Sequence, residues 1–334
     1  MGEAATGPAV GAGLTAAAGP PAADGSATAT EPPAFTGSAT ADLVERVVRE
    51  FIDHSPANSL GGEPQEPAFC DPLVGYASAG DPLFESLKEH VGPNHWTPAE
   101  AFALGSGEQV PPHELTAISW VLAQTALTKA DNRKEERFPS ERWARARIFG
   151  QRGNFELHRL LREALAEVGI EAVAPSLLPE WQQYASGIRP VASTWSERHI
   201  AYVAGLGTFG LCDGLITARG KAVRFGSVVA RTVIPPTPRP YKSHTEYCLY
   251  YSRGICQACV KRCPVGSVSP AGRDKFRCAE HLQPHTEDFV RRHFRFDGYG
   301  CGLCQTGVPC ESGIPSSLLE RAMTPAAGVG APRQ

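Results

Sequence analysis

The sequence predicts an α+β protein in which a mixed region of helices and strands is followed by a cysteine-rich unit. Between about residues 40 and 235, apolar residues switch repeatedly between helical and strand-like spacing. Eight of the 10 cysteines then fall between residues 248 and 310. The expected divisions are a low-complexity tail (1–38), an α/β domain (39–240), a cysteine-rich domain (241–318) and a second tail (319–334).

Composition limits the partners and the location that we expect. The net charge of −3 gives no overall attraction to nucleic acid or to anionic membranes. No apolar run reaches the roughly 18 residues of a membrane-spanning helix, so no membrane association is expected. The first 38 residues lack Lys and Arg and consist mostly of small residues, unlike a secretory signal. We therefore expect a cytoplasmic protein for which nucleic acid is not a favoured partner.

Three helices and four strands are predicted from local patterns. Residues 40–54 carry apolar side chains at helical spacing, with Thr40 as the expected N-cap. Thr97 and Glu100 have the spacing of a capping box around Pro98, which suits the first position of a helix. The stretch 154–169 has the clearest apolar stripe and ends at a glycine. The predicted strands are 116–123, 170–175, 214–220 and 221–234.

A further helix and a glycine-rich turn occupy residues 194–210. Thr194 and Glu197 have capping-box spacing at the start of "TWSERHIAYVA". "AGLGTFG" then matches a dinucleotide-binding pattern, but here a helix precedes the glycines and a turn and strand follow, the reverse of the required order. We expect a tight helix-to-strand connection, or small residues that let a large flat ligand approach the backbone. The candidate cofactor-binding residues are Ala204, Gly205, Leu206, Gly207 and Gly210.

The cysteines have the spacing of iron–sulfur ligands. "GICQACVKRCPVG" (254–266) contains the end of a ferredoxin run, C-x2-C-x3-C-P, but Arg253 stands where the first cysteine should be. Cys248 can replace that cysteine if residues 249–255 loop back. The second run is Cys278 followed by "CGLCQTGVPC" (301–310). In two-cluster ferredoxins the last cysteine of each run binds the other cluster. Applied here, the rule predicts two [4Fe–4S] clusters, one held by Cys248, Cys256, Cys259 and Cys310, the other by Cys263, Cys278, Cys301 and Cys304.

Other metal sites remain open at this point. The pairs 256/259 and 301/304 would suit a zinc ribbon with four cysteine ligands, although such a ribbon needs neither the Cys-Pro pair nor four more cysteines. A single degraded cluster is a further alternative. Cys70 and Cys212 lie outside both quartets and are expected to be small buried side chains, with Cys212 close enough to the glycine turn to line the site.

Taken together, "SERHIAYVAGLGTFGLCDGLIT" (196–217), "AVRFGSVV" (222–229) and the two cysteine runs resemble the superfamily of epoxyqueuosine reductases and reductive dehalogenases. The similarity covers about residues 170–312. The resemblance implies a nitroreductase-like α/β core followed by a ferredoxin-like two-cluster domain. It also implies a cobalamin-type cofactor that receives electrons from the clusters, and an external electron donor of the ferredoxin or flavodoxin type.

Departures from the family pattern affect the expected substrate. Epoxyqueuosine reductases carry an acidic proton donor about six residues before the glutamate of this stretch, and Val191 stands there in this chain. Their tRNA-acting members also continue into helical repeats. We therefore expect a cobalamin-dependent reductase of a small molecule, with Glu197, His199 and Tyr202 as candidate catalytic residues. The alternatives are an iron–sulfur electron-transfer protein without cobalamin, which binds another cofactor such as flavin, and an epoxyqueuosine-type tRNA-modifying reductase.

Overall fold

Helices and short strands alternate along residues 37–185 and 191–318, which are the residues that the structure, a computed structural model, describes. The helices are α1 (Gly37–His54), α2 (Leu83–His90), α3 (Pro98–Ser106), α4 (Ala126–Lys134), α5 (Glu141–Arg145), α6 (Gln151–Glu167), α7 (Glu197–Val203), α8 (Leu249–Arg253), α9 (Ala258–Lys261), α10 (Lys275–Glu280) and α11 (Glu287–Phe294). The strands are β1 (Phe69–Ser78), β2 (Thr116–Gln124), β3 (Ala172–Val173), β4 (Gln183–Tyr184), β5 (Ala192–Ser193), β6 (Gly207–Phe209), β7 (Leu215–Thr217), β8 (Val223–Ala230), β9 (Val268–Ser269) and β10 (Gly272–Arg273). This mixture confirms the α+β class.

A four-stranded antiparallel sheet, in the order β1-β2-β8-β3, forms the centre of the molecule. Every residue of β2 is buried, as its apolar and β-branched sequence predicts for a central strand. The strands expected at 116–123 and 221–234 are therefore confirmed. The strand expected at 170–175 shrinks to the two residues of β3, and that at 214–220 to the three of β7.

Helices cover both faces of the sheet. Ile118, Trp120 and Leu122 alternate along β2 with smaller side chains, so the two faces of the strand differ. The larger side chains pack in one apolar cluster with residues of α1 and α6. Ala117 packs on the other face with residues of α2, α3 and α7. The result is a three-layer arrangement that buries the sheet on both sides.

The helix starts agree with the sequence where the capping partners are local. Thr97 and Glu100 form the predicted capping box of α3, with Pro98 at its first position. The stripe of α6 is buried as expected. Helix α1 begins at Gly37 rather than after Thr40, so residues 37 and 38 of the expected tail are helical. The remainder of that tail and the expected tail from 319 lie outside the described residues.

The predicted capping box of α7 is wrong. The N-cap is Ser196, its side chain makes no capping hydrogen bond, and Glu197 is the first helical residue. The Glu197 carboxylate instead accepts a hydrogen bond of 2.5 Å from the Ser227 hydroxyl on β8. The Glu197 carboxylate therefore bonds to a residue of the sheet rather than to the Thr194 backbone, which the sequence pattern predicted.

A glycine turn joins α7 to the hairpin of β6 and β7, which confirms the tight helix-to-strand connection. Gly205 has φ +81°, a left-handed conformation that glycine adopts without strain. Gly207 then pairs with Thr217 across the hairpin. A helix precedes the glycines and a strand follows them, so the order needed for a dinucleotide fingerprint is not present here.

The cysteine-rich segment packs against the rest of the chain. The Arg262 side chain, between two cysteines of the first run, donates hydrogen bonds to the carbonyl oxygens of Leu303, Thr306, Glu135 and Asn132. The described residues all belong to one compact unit, so the two sides of the boundary expected at residue 240 are in contact. None of the helices within the described ranges is long and apolar enough to span a bilayer.

Candidate functional site

Four cysteines from both runs line one small cavity. Gly210, Leu211 and Lys221 also line it. The cysteines are Cys248, Cys256, Cys259 and Cys310. Cys256 has φ +90°, a backbone conformation that is strained for a residue with a side chain and that clusters at functional sites. The structure thus gathers the first of the two quartets that the crossed-ligand rule predicts.

The other four cysteines line a much larger cavity of about 830 Å³. They are Cys263, Cys278, Cys301 and Cys304. The Cys263 sulfur accepts a hydrogen bond from the Ser267 backbone N–H at 3.2 Å, and the Arg273 guanidinium donates to the Cys278 sulfur at 2.8 Å. Burial opposes ionisation of Cys263, but the hydrogen bonds from Ser267 and neighbouring backbone groups lower the pKa of its thiol. Donors thus stabilise the thiolate of Cys263 and contact the Cys278 sulfur, whereas burial raises the pKa of Cys301 to about 11.

Cys212 lies where the two quartets adjoin. Its thiol donates to the Cys304 carbonyl oxygen of the second quartet at 3.8 Å, and interactions with Cys259 and Cys304 hold the pKa of this thiol well below its ordinary value. The Lys221 ammonium lies 3.2 Å from the Cys212 sulfur, and Lys221 lines both cavities while only 3% exposed. Cys212 is buried, as expected, whereas Cys70 is only half-buried. Cofactors bound to the two quartets would thus be neighbours.

The cysteines of each quartet surround a cavity. Among the described residues, no three metal-ligating side chains converge tightly enough to share one metal ion. Zinc needs four sulfurs at about 2.3 Å from one centre. A [4Fe–4S] cluster takes four cysteine thiolates around a larger inorganic core.

Glu197 is the predicted catalytic residue that lines the large cavity. Its Oε2 accepts from the Ser227 hydroxyl, which in turn accepts from the Trp195 indole N–H at 2.9 Å. Its Oε1 is buried and has no hydrogen-bond partner among the described residues. The His158 Nε2 lies 3.7 Å from Oε1, and the His158 Nδ1 donates to the Asn154 carbonyl at 2.7 Å. The geometry holds one carboxylate oxygen in place and leaves the other available.

The other two candidate catalytic residues do not line this cavity. The His199 Nδ1 is 2.7 Å from the Ser196 hydroxyl, and its ring packs against Phe209. Burial, with repulsion from Arg198, holds the pKa of His199 well below its ordinary value, so the ring is neutral. Tyr202 lines a separate cavity and stacks on Tyr241, and burial raises the pKa of its hydroxyl.

The glycine turn also lies away from the large cavity. None of Ala204, Gly205, Leu206, Gly207 and Gly210 lines it, although Gly210 lines the small cavity. A Cβ on Gly207 would lie 2.2 Å from the Ile216 carbonyl oxygen, so close pairing of β6 and β7 accounts for glycine there. The structure brings Glu197 to the second quartet and leaves the glycines packed against the chain.

The wall of the large cavity contains several polar and basic groups, of which Gln124 and Arg224 were not singled out by any sequence pattern. Buried side-chain atoms with no partner among the described residues include Gln124 Oε1, Glu197 Oε1, Arg224 Nε and Arg273 Nε, and all four residues line this cavity. The basic lining residues are Arg147, Arg152, Arg198, Lys221, Arg224 and Arg273, against Glu197 as the acidic one. A charged residue inside the apolar stretch "AVRFGSVV" was the signal that could have revealed Arg224.

Known proteins that are similar to this chain indicate the class of protein that it resembles. No family model matches the chain. Curated reductases do match it, and they confirm its resemblance to the superfamily of epoxyqueuosine reductases and reductive dehalogenases.

The particular curated relatives are two epoxyqueuosine reductases. The protein of Listeria monocytogenes (serovar 1/2a) is 27% identical over 256 residues, which are 72% of this chain and 61% of the relative. The protein of Francisella cf. novicida is 30% identical over 125 residues, which are 36% of this chain and 33% of the relative. The chain therefore spans less than two thirds of either relative.

Solved structures of the same two kinds of enzyme are similar at low identity. A selenomethionine-labelled epoxyqueuosine reductase has 17% identity and a TM-score of 0.43, covering 83% of this chain and 67% of that chain. An epoxyqueuosine reductase with an epoxyqueuosine-modified tRNA stem loop has 19% identity and a TM-score of 0.42, covering 81% and 67%. The catabolic reductive dehalogenase NpRdhA, in complex with 3-bromo-4-hydroxybenzoic acid, has 13% identity and a TM-score of 0.43, covering 86% and 38%.

Proposed function

We propose that the chain is an iron–sulfur oxidoreductase that passes electrons from two [4Fe–4S] clusters to a cobalamin-type cofactor in the large cavity, where a small molecule is reduced. One observation carries the proposal: a cysteine quartet and the Glu197 carboxylate line the same cavity. Electrons and protons, the two requirements of a reduction, can therefore reach one place. A nitroreductase-like core (39–240) and a ferredoxin-like domain (241–318) are part of the proposal.

The order of the clusters follows from their surroundings. The quartet with Cys256 lines only the small cavity, so an external ferredoxin or flavodoxin would deliver electrons there. The quartet with Cys263 lines the large cavity and would deliver them to the reacting centre. Lys221 lines both cavities, so clusters held by the two quartets would be neighbours, as electron transfer between them requires. The cations of Lys221 and Arg273 offset the negative charge of the thiolates.

The residues of the cavity fit a large ligand with many amide groups. Its volume of about 830 Å³ lies within the usual range for small-molecule sites. Gln124 Oε1, Arg224 Nε and Arg273 Nε have no hydrogen-bond partner among the described residues. A ligand could donate a hydrogen bond to Gln124 Oε1 and accept one from each of the two arginine atoms. A bound cobalamin would supply a cobalt centre that takes up single electrons and passes them to the substrate. Trp181 and Phe225 add apolar lining.

Glu197 is the residue that would hold the proton for the substrate. The hydrogen bond from Ser227 fixes the orientation of the carboxyl group, and Oε1 stays free of protein partners among the described residues. The His158 Nε2 lies 3.7 Å from this oxygen and accepts a hydrogen bond from the Ser227 backbone N–H at 3.4 Å, so His158 flanks the carboxyl group with its own acceptor occupied. This assignment replaces the acidic donor of the related reductases, whose expected place is taken here by the exposed Val191.

Cobalamin binding at this cavity can be tested with two neighbouring glutamines. Gln183 and Gln182 are both exposed, but only Gln183 lines the cavity. Anaerobic protein should contain about eight irons per chain and bind hydroxocobalamin with a change in its visible spectrum. Gln183→Trp should weaken that binding by about tenfold or more because the indole narrows the cavity, while Gln182→Trp should not. Iron without any corrinoid binding would instead support an electron-transfer protein, and zinc without iron would refute both.

An epoxyqueuosine-type tRNA-modifying reductase is the second candidate. The two curated relatives carry that name, and the basic residues of the cavity suit a polyanion. Fluorescence anisotropy with a tRNA anticodon stem loop tests it. Micromolar binding that weakens steeply with salt would favour this candidate over a small-molecule reductase.

A further inference from the structure

Arg224 is a partly buried cation in the cavity wall that has no counter-charge among the described residues. It lies on β8, with its Nε buried and unpartnered, and makes no ion pair with any described residue. Burial, followed by repulsion from the Arg147 guanidinium, lowers the pKa of Arg224 to about 9. A cation in a cavity wall that lacks a counter-charge and keeps one buried donor unpaired suits a site where an anionic ligand supplies the missing partner.

Arg147 stands beside it in the same wall. Its guanidinium donates to the Tyr299 hydroxyl at 2.8 Å and likewise makes no ion pair with a described residue. Arg147, Arg224 and Tyr299 all line the large cavity, and Glu197, its acidic lining residue, accepts from Ser227. Two planar guanidinium groups and a phenol hydroxyl offer several converging donors and no anion to receive them.

We propose that Arg147 and Arg224 bind an oxyanion, a carboxylate or a phosphate, carried by the ligand of the large cavity. Arginine is the residue that binds such groups through two parallel hydrogen bonds. The proposal deepens the proposed function, because it specifies that the substrate or the cofactor is anionic at this end of the cavity. A carboxylate substrate and the phosphate in the nucleotide loop of a cobalamin share this chemistry, and the test separates them.

The first arm of the test uses benzoate and its neutral analogue benzamide with protein free of corrinoid. Benzoate should raise the Tm of the unaltered protein more than benzamide does. Arg224→Gln should weaken benzoate binding about ten- to a hundredfold and leave benzamide unaffected. The control is Arg231→Gln, at an exposed arginine that pairs with Glu108 and does not line the cavity. Equal binding of benzoate and benzamide by the unaltered protein would overturn the proposal.

The second arm compares cobalamin with cobinamide, which lacks the nucleotide loop and its phosphate. If the site holds the cofactor phosphate, Arg224→Gln weakens cobalamin binding and spares cobinamide binding. If it holds a substrate oxyanion, neither corrinoid is affected and only benzoate binding falls. Corrinoid binding that is absent altogether would refute the proposed function, yet leave the benzoate result standing.

A stability measurement guards against misfolding of the variant. Because Arg224 has no ion-pair partner among the described residues and is repelled by Arg147, Arg224→Gln should leave the Tm of ligand-free protein unchanged or higher. If the variant is instead unstable, Arg147→Gln provides the same benzoate comparison at the other half of the pair. If Arg224→Gln protein is unstable and the folded Arg147→Gln variant still binds benzoate more tightly than benzamide, the proposal is also overturned.

Discussion

Replacing one cysteine of each run by serine tests how the eight cysteines are divided. Cys263 belongs to the first run in sequence, yet it lines the large cavity with three cysteines that follow that run. Cys310 ends the second run, yet it lines the small cavity. We therefore expect Cys263→Ser to remove the cluster of the large cavity and Cys310→Ser to remove that of the small cavity.

The magnitude follows from the number of ligands at each cavity. Each cavity is lined by the four cysteines that one [4Fe–4S] cluster requires. The unaltered protein should hold about eight irons, and each serine variant about four. The EPR signal of the remaining iron should differ between the two variants, because Arg273 donates to a sulfur of the large-cavity quartet and lines that cavity only, and such neighbours tune cluster potentials.

The assay is iron analysis with EPR spectroscopy of the reduced protein, prepared without oxygen. Cys256→Ser and Cys310→Ser should abolish the same signal, and Cys263→Ser the other one. Cys70→Ser is the matched control, because Cys70 lines neither cavity and should retain about eight irons. If Cys256→Ser and Cys263→Ser abolish the same signal, the crossed assignment is refuted.

Two further predictions concern stability and are measured as Tm by circular dichroism. Gly207→Ala should lower Tm by several degrees, because the new Cβ would lie 2.2 Å from the Ile216 carbonyl oxygen and overpacking costs about 1–3 kcal/mol. The control Gly80→Ala, whose Cβ would have no neighbour closer than 3.6 Å, should change Tm little. An equal loss of Tm in the two variants would contradict this account. Arg262→Ala should lower the free energy of unfolding by about 2–4 kcal/mol, because it removes the side-chain donor from four carbonyl oxygens. The control Lys261→Ala, at the exposed neighbouring position, should leave stability nearly unchanged. An unchanged Tm in Arg262→Ala would show that these hydrogen bonds add no net stability.

Sequence reasoning succeeded where the determining interactions are local. The buried strand β2 and the stripe of α6 follow from apolar spacing alone, and the capping box at Thr97 joins residues three positions apart. The capping box expected at Thr194 failed because the Glu197 carboxylate bonds to Ser227, 30 residues away. Which partner a side chain selects across the sheet depends on packing that no short pattern records.

The division of the cysteines between the two cavities could be predicted from the sequence, whereas the charged groups of the large cavity could not. The spacing of the cysteines, together with the crossed-ligand rule, assigns them to the same two groups of four that line the two cavities. This succeeds because the ligands of one run lie close together in the sequence. The anionic specificity proposed for Arg224 depends on the absence of a neighbouring carboxylate among the described residues, which only three-dimensional structure can show. The same holds for His158, which approaches Glu197 from α6.

The hydrogen bonds of Arg262 have a consequence for how this protein would acquire the clusters proposed for it. Their acceptors at Glu135 and Asn132 lie 127 and 130 positions away in the chain, so the cysteine run is held in place by residues made long before it. Loading with iron and sulfide should therefore follow folding of the whole chain rather than precede it. Segment 241–318 expressed alone would lack these acceptors, and grafting it onto another reductase would not transplant a working electron-transfer module.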